Sequence, residues 1–316
     1  MRKVVLNKEH IEGRVYDHNL AIKTVQNAES KNYGKEFIGG TLDIATDEDC
    51  CNIVTINFTY VTEMTSTNKK NETFATLKNI IETGKIVIAD GKDAAVMVKV
   101  DTSLGVNDFY TNRNGEEVLV SAKRNEGGFV HIVNKLADES ARNTFEMDMI
   151  INGTRLVEAD EEKHIDADYL VVKGAVFNFR QAILPVEFIV KNPSGIKYFD
   201  KLDISQSNMV FTKVWGKINS EVIKSTREEE SAFGETKVTQ YERTIKEWVI
   251  TGTANEPYEI GDAENGITLD ELKEKLAARE VYLADVKKRQ DEYQASRTAP
   301  SVAKAGVSAQ AGGFNF

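Results

Sequence analysis

The chain has 316 residues, 41% of them hydrophobic, which suffices for about two cores at ~100–200 residues per domain. Forty basic and 50 acidic residues leave a net charge of −10, which argues against indiscriminate coating of duplex DNA but allows a local basic groove. No stretch approaches ~18 uninterrupted apolar residues and the opening MRKVVLNKEHIEG lacks a signal-like apolar core, so a cytoplasmic protein with no membrane partner is expected.

Period-2 runs rich in Val, Ile, Thr and aromatic residues predict strands near 10–25, 36–45, 52–62, 94–103, 116–124, 128–134 and 145–157. Cys50 and Cys51 are adjacent and belong to no Cys/His cluster, so no metal or other cofactor is expected. Phe74, Leu77, Ile80 and Ile81 fall at helical spacing, which predicts a helix over 72–82. Asn114-Gly115 reads as the turn of a hairpin inserted over 112–134. Three strands, a helix and two strands is the order of an OB-fold, which makes residues 1–158 a first OB-like domain. The stretch 159–168 is acidic and reads as a solvated linker. A second OB-like domain, 169–255, is expected from strands near 169–178, 183–191, 209–224 and 239–254, with a helix over 195–202.

Three short signatures recur in order and suggest a duplication. Gly13-x-Val15-Tyr16 is matched by Gly174-x-Val176-Phe177, Val96-x-x-Lys99-Val100 by Val210-x-x-Lys213-Val214, and Ile150-Ile151-x-Gly153-Thr154 by Val249-Ile250-x-Gly252-Thr253. Thr268 and Glu271 form a capping box that opens a helix over 266–297. Its stripe of Leu269, Leu272, Leu276, Leu283, Val286 and Tyr293 is interrupted by Arg279 and Gln290. The expectation is packing along the β units, with a homo-oligomeric coiled coil as the alternative. Residues 298–316 are too poor in large apolar side chains to fold alone and read as a flexible tail ending in Phe314 and Phe316. The expected fold class is therefore mainly β: two tandem OB-like barrels, a C-terminal amphipathic helix and a tail.

Strand parity supplies the candidate site. Around 209–218, Val210, Val214 and Ile218 share one face, while Phe211, Lys213, Trp215 and Lys217 share the other. Aromatics interleaved with cations suit a single nucleic-acid strand, with rings for the bases and ammonium groups for the phosphates. Arg14 and Tyr16, with His18, form a similar face in the first unit, and Lys173, Phe177 and Phe179 in the second, with Arg180 nearby. Lys123, Arg124 and Phe129 flank an expected turn at 125–128 and line a loop over the same groove. Phe58, Tyr60, Phe188 and Trp248 follow apolar neighbours in phase and are assigned to the core. No phosphate-binding loop, nucleophile elbow or His-Glu-x-x-His helix occurs, so binding rather than catalysis is expected.

Two OB-like units, the segment Trp215-Gly216-Lys217-Ile218 and a tail ending in Phe resemble the single-stranded-DNA-binding proteins, particularly the diverse bacteriophage forms. The resemblance spans about residues 10–255 and implies sequence-independent protection of replication or recombination intermediates. It also implies recruitment of replication or recombination proteins through Phe314 and Phe316. That family's tail carries acids before its terminal Phe, whereas Gly312-Gly313-Phe314-Asn315-Phe316 has none. The acidic stretch 256–270 is instead expected to compete with DNA for the groove. Two other classes fit the same elements: a non-enzymatic phage structural protein that self-assembles, and an OB module for oligosaccharide or protein.

Overall fold

The structure is a computed structural model and describes residues 5–160, 165, 167–229, 233, 237–258 and 266–298. In chain order the elements are β1 (Asn7–His18), β2 (Ala21–Thr24), β3 (Glu36–Ala45), β4 (Ile53–Thr62), α1 (Glu72–Thr83), α2 (Val87–Asp90), β5 (Met97–Arg113) and β6 (Glu116–Ile132). They continue with β7 (Asn143–Val157), β8 (Tyr169–Phe177), β9 (Ile183–Val190), α3 (Pro193–Lys201), β10 (Val210–Glu229), β11 (Lys237–Thr253) and α4 (Leu269–Thr298). The protein is mainly β, as expected. No described helix is long and apolar enough to cross a membrane.

The strands hydrogen-bond into one 11-stranded mixed sheet, in the order β10-β11-β9-β8-β7-β1-β5-β6-β4-β3-β2. Two further pairings, β1 with β3 and β7 with β10, close that order into two circuits. One runs β1-β3-β4-β6-β5 and the other β7-β8-β9-β11-β10, each returning to its first strand. In each, a single parallel pairing, β4 with β6 or β9 with β11, joins the third strand to the fifth. A helix precedes the fourth strand in both: α1, capped by Asn71 accepting from the Thr73 N–H, and α3, capped by Asn192 and opened by Pro193. Main-chain bonding of β1 to β7 makes a seam between the circuits.

The repeated signatures map onto this plan unevenly. Lys99-Val100 and Lys213-Val214 lie on β5 and β10, the fourth strand of each circuit, but Gly13 lies on β1 and its match Gly174 on β8. Those two glycines share a local chemistry instead of a place. A Cβ on Gly13 would collide with the Ala45 carbonyl oxygen and one on Gly174 with that of Ile150, each close to a register shift where the strand bends hard.

Alternation builds one large core spanning both circuits, from Ile11, Val15, Ile38, Leu42 and Val100 to Phe145, Met147, Phe188, Val214 and Ile218. Phe74, Leu77 and Ile80 of α1 and Phe199 of α3 join it. Trp248, Phe58 and Phe188 are buried as their phase predicts, but Tyr60 is 45% exposed. The register shift between Ile38 and Gly40 lets β4 slip one position past Phe58, turning Tyr60 outward to lie 4.7 Å from the Phe37 ring.

Asn114 and Gly115, both with positive φ, make the expected hairpin turn between β5 and β6. The turn expected at 125–128 is absent, because β6 runs straight through. Gly127 and Gly128, with φ of 58° and 123°, absorb a bulge opposite Thr102, and the buried Asn125 bonds the Thr55 carbonyl at 2.8 Å. A glycine pair that resembles a loop in sequence is here a kink inside a strand.

Helix α4 starts with the predicted capping box: the Thr268 N–H donates to Glu271 Oε2 at 3.1 Å and the Glu271 N–H to Thr268 Oγ1 at 3.2 Å. It lies along the β5–β6 hairpin and the β8–β9 turn. The two residues that broke its apolar stripe are docking groups. Arg279 reaches Asp108 at 2.7 Å, and Gln290 bonds both the N–H and the carbonyl of Tyr110.

Candidate functional site

Partnered residues on adjacent strands project to the same side of a sheet, so the register identifies a face that crosses the seam. One row of partners runs Phe129 on β6, Asp101 on β5, His10 on β1, Thr144 on β7 and Lys217 on β10. Two residues along, the next row is Lys8, Glu146 and Trp215. Four strand spacings of ~4.8 Å separate Phe129 from Lys217 by about 19 Å measured along the sheet. Phe129 is 69% exposed and Trp215 40%. The Trp215 ring lies over its cross-strand partner Gly252, where a Cβ would strike the indole.

Polar neighbours engage most of the basic side chains of this face. Lys213 pairs with Glu146 at 2.8 Å, which raises its pKa, and its Nζ stands 5.8 Å from the Trp215 ring centroid. His10 Nδ1 lies 2.8 Å from Asp101. Arg14 pairs with Glu48 at 3.1 Å; Arg142 first and Arg14 second hold that carboxyl below its usual range. Lys217 donates to the Ser140 carbonyl and to Asn143 Oδ1, and burial lowers its pKa. Tyr16 is half-buried near the end of β1.

Phe211 and Phe177, expected among the stacking residues, are 2% and 1% exposed. They pack edge-on at 6.4 Å between ring centroids, covered by Ile267, Leu272 and Tyr258. Parity assigns Phe211 correctly to the outer face of β10, but the α4 end of the chain covers that part of the face. Lys173 is away from the seam on β8, paired with Glu187 at 3.2 Å. Arg124 lies within β6, bonded to Glu126 at 2.7 Å.

Lys123 also belongs to β6 and turns inward. Its Nζ sits 4.8 Å from the Trp248 ring and 5.6 Å from Phe188, and bonds the Glu187 carbonyl. Burial pushes its pKa down to about 8, against the pull of Glu187 and Glu247. Phe179 (87% exposed) and Arg180 stand on the β8–β9 turn, away from the seam. Phe314 and Phe316 lie outside the described residues, as does much of the acidic stretch 256–270.

Three residues at the seam escape the sequence reading. Lys8 and His10 join the outer face because β1 begins at Asn7, a start hidden in the sequence because Asn7, Lys8, Glu9 and His10 are all polar and show no alternation. Glu9 takes an apolar-phase position and is 2% exposed, accepting from the Trp248 indole N–H at 2.9 Å. Burial lifts its pKa to about 8, opposed by the Trp248 bond and reinforced by Glu126. No group of three His, Cys, Asp or Glu side chains among the described residues is arranged to hold a metal.

A mainly β protein of two hydrogen-bonded circuits, with an aromatic and basic face across their seam and a helix strapped to both, defines the class. Residues 6–289 match the YorF family model, and the chain belongs to that family. Comparison with curated proteins gives no match.

Proposed function

We propose that this protein binds single-stranded DNA without marked sequence preference, protecting replication or recombination intermediates, and that each circuit is an OB-like barrel. Support for the barrels comes from strand order: three antiparallel strands, a helix, then two strands, with the third and fifth parallel, twice over. The observation that carries the function is the row from Phe129 through His10 to Lys217, flanked by Trp215 and Lys213, which crosses both circuits without a break. Bases stack on Phe129 and Trp215 while a phosphate displaces Glu146 from Lys213. Binding two neighbouring stretches of one strand raises avidity through effective concentration. The role is binding rather than catalysis.

Titration of tryptophan emission with oligo-thymidine and with a duplex, each at two salt concentrations, tests this. The single strand alone quenches Trp215, and affinity falls as salt rises. Phe129→Ala weakens binding by about 5- to 150-fold, the range of one lost base stack. An unchanged emission with both ligands at low salt refutes the proposal.

One observation favours self-assembly as a second reading. Beyond Lys217, β10 has β11 as its sole strand partner among the described residues, and β11 meets β9 only at Val249. A two-stranded ribbon of that kind is marginal alone and suits a contact between copies. Concentration-dependent light scattering without nucleic acid is then the expected result.

A further inference from the structure

A cleft of about 580 Å³ opens where α4 crosses β5, β6 and the β8–β9 turn, away from the seam face. Its size falls in the range of small-ligand sites, roughly 300–1,000 Å³. Asp108, Arg124, Arg180, Glu274, Arg279 and Tyr282 are among its walls.

The turn beside it is held from several directions. Asn178 Oδ1 accepts from the N–H groups of Arg180 and Ala182, both at 2.9 Å, while the Asn178 N–H donates to the Ala182 carbonyl at 3.1 Å. Helix α4 pins the same turn: Lys275 donates to the Gln181 carbonyl at 2.8 Å and Arg279 to that of Ile183 at 3.3 Å. On this fixed turn Phe179 is 87% exposed, with the Arg180 guanidinium 5.2 Å from its ring centroid. Phe179 is among the most exposed aromatic side chains of the described residues, and the turn that carries it is held in place.

Charge pairing separates Arg180 from its neighbours. Arg279 is committed to Asp108 and Arg124 to Glu126, whereas Arg180 makes no ion pair among the described residues and faces the cleft with its guanidinium free for an anion. Phe179 is not itself a wall of the cleft, but its ring stands beside Arg180, which is; an exposed planar ring next to an unpaired guanidinium matches a base with an attached phosphate.

We propose that the mouth of this cleft binds a nucleoside monophosphate unit, its phosphate held by Arg180 in the wall and its base stacked on the exposed Phe179 ring beside it. The assignment borrows from the nucleic-acid reading only the class of ligand. The same chemistry is offered by a free nucleotide and by the phosphorylated end of a strand.

Calorimetric titration of the full chain with thymidine monophosphate, thymidine and inorganic phosphate tests the site. The monophosphate binds at least about tenfold more tightly than either part, and Arg180→Ala and Phe179→Ala each weaken it by at least about tenfold. Neither variant changes the Trp215 quench by a circular single strand, which has no ends. Tighter binding of a 5′-phosphorylated linear strand than of the circle assigns the site to strand ends; equal binding assigns it to the free nucleotide. No heat with the monophosphate, equal binding of phosphate alone, or indifference to Arg180→Ala overturns the proposal. If the circle still quenches Trp215 in that case, the single-strand reading survives; if it does not, both fail.

Discussion

Glu9 makes the seam sensitive to pH. Its folded pKa of about 8 lies above the ordinary 4.5, so the folded protein holds a proton that the unfolded chain releases between those values. Stability therefore falls as pH rises from 4.5 to 8 and this contribution is then constant. Lys123 acts in the opposite sense in the next window: its folded value of about 8 lies below 10.5, so stability recovers as pH rises between them. A stability minimum near pH 8 follows. Glu9→Gln keeps an acceptor for the Trp248 N–H and removes the charge, so urea unfolding should lose the fall of roughly 2 kcal/mol expected of the parent between pH 6 and 8. Identical slopes in parent and variant would refute this account of Glu9. Phe211 and Trp215, two positions of equal parity on one strand, should separate cleanly. Phe211→Ala costs about 3–5 kcal/mol of stability because it empties a packed site. Trp215→Ala leaves the melting temperature within a few degrees and removes a base stack. Parity read from sequence could place both on the outer face, but it could not see that Ile267 and Leu272, more than 50 residues later, cover one of them.

Helix α4 shows how polar residues inside an apolar stripe carry specificity. An uninterrupted stripe slides along a sheet with little penalty, whereas Arg279 against Asp108 and Gln290 against the Tyr110 backbone fix one register. Asp108's side chain is 1% exposed and Arg279's 10%, so Arg279→Ala strands a buried carboxylate and should cost about 3–5 kcal/mol. Hydrogen exchange of the α4 amides reads this directly: protection drops in the variant and returns in Arg279→Ala/Asp108→Ala, where the stranded charge is gone. Protection equal to the parent's in the single variant would mean that the pair does not hold the helix. The helix, its capping box and its stripe were legible from residue spacing. The meaning of its interruptions was not, because their partners lie on a hairpin more than 150 residues earlier in the chain.

Across the whole molecule, alternation and turn chemistry gave the strands, the helix between third and fourth strands, and the Asn114-Gly115 hairpin. They failed at bulges. Gly127-Gly128 resembles a turn and is a kink, and Tyr60 leaves its phase at the shift near Gly40, because a bulge reverses parity without changing composition. The acidic stretch after Val157 looks like the border between two units, yet β7 ahead of it hydrogen-bonds β1 as well as β8 and β10. A chain nicked in that stretch should therefore elute as one particle in native buffer and come apart only in denaturant; two peaks in native buffer would contradict it. The same pairing governs how such a protein can be cut and recombined. Any exchange that moves the second unit into another chain must carry residues from Asn143 onward, or it delivers an open sheet edge ready to aggregate with its neighbours.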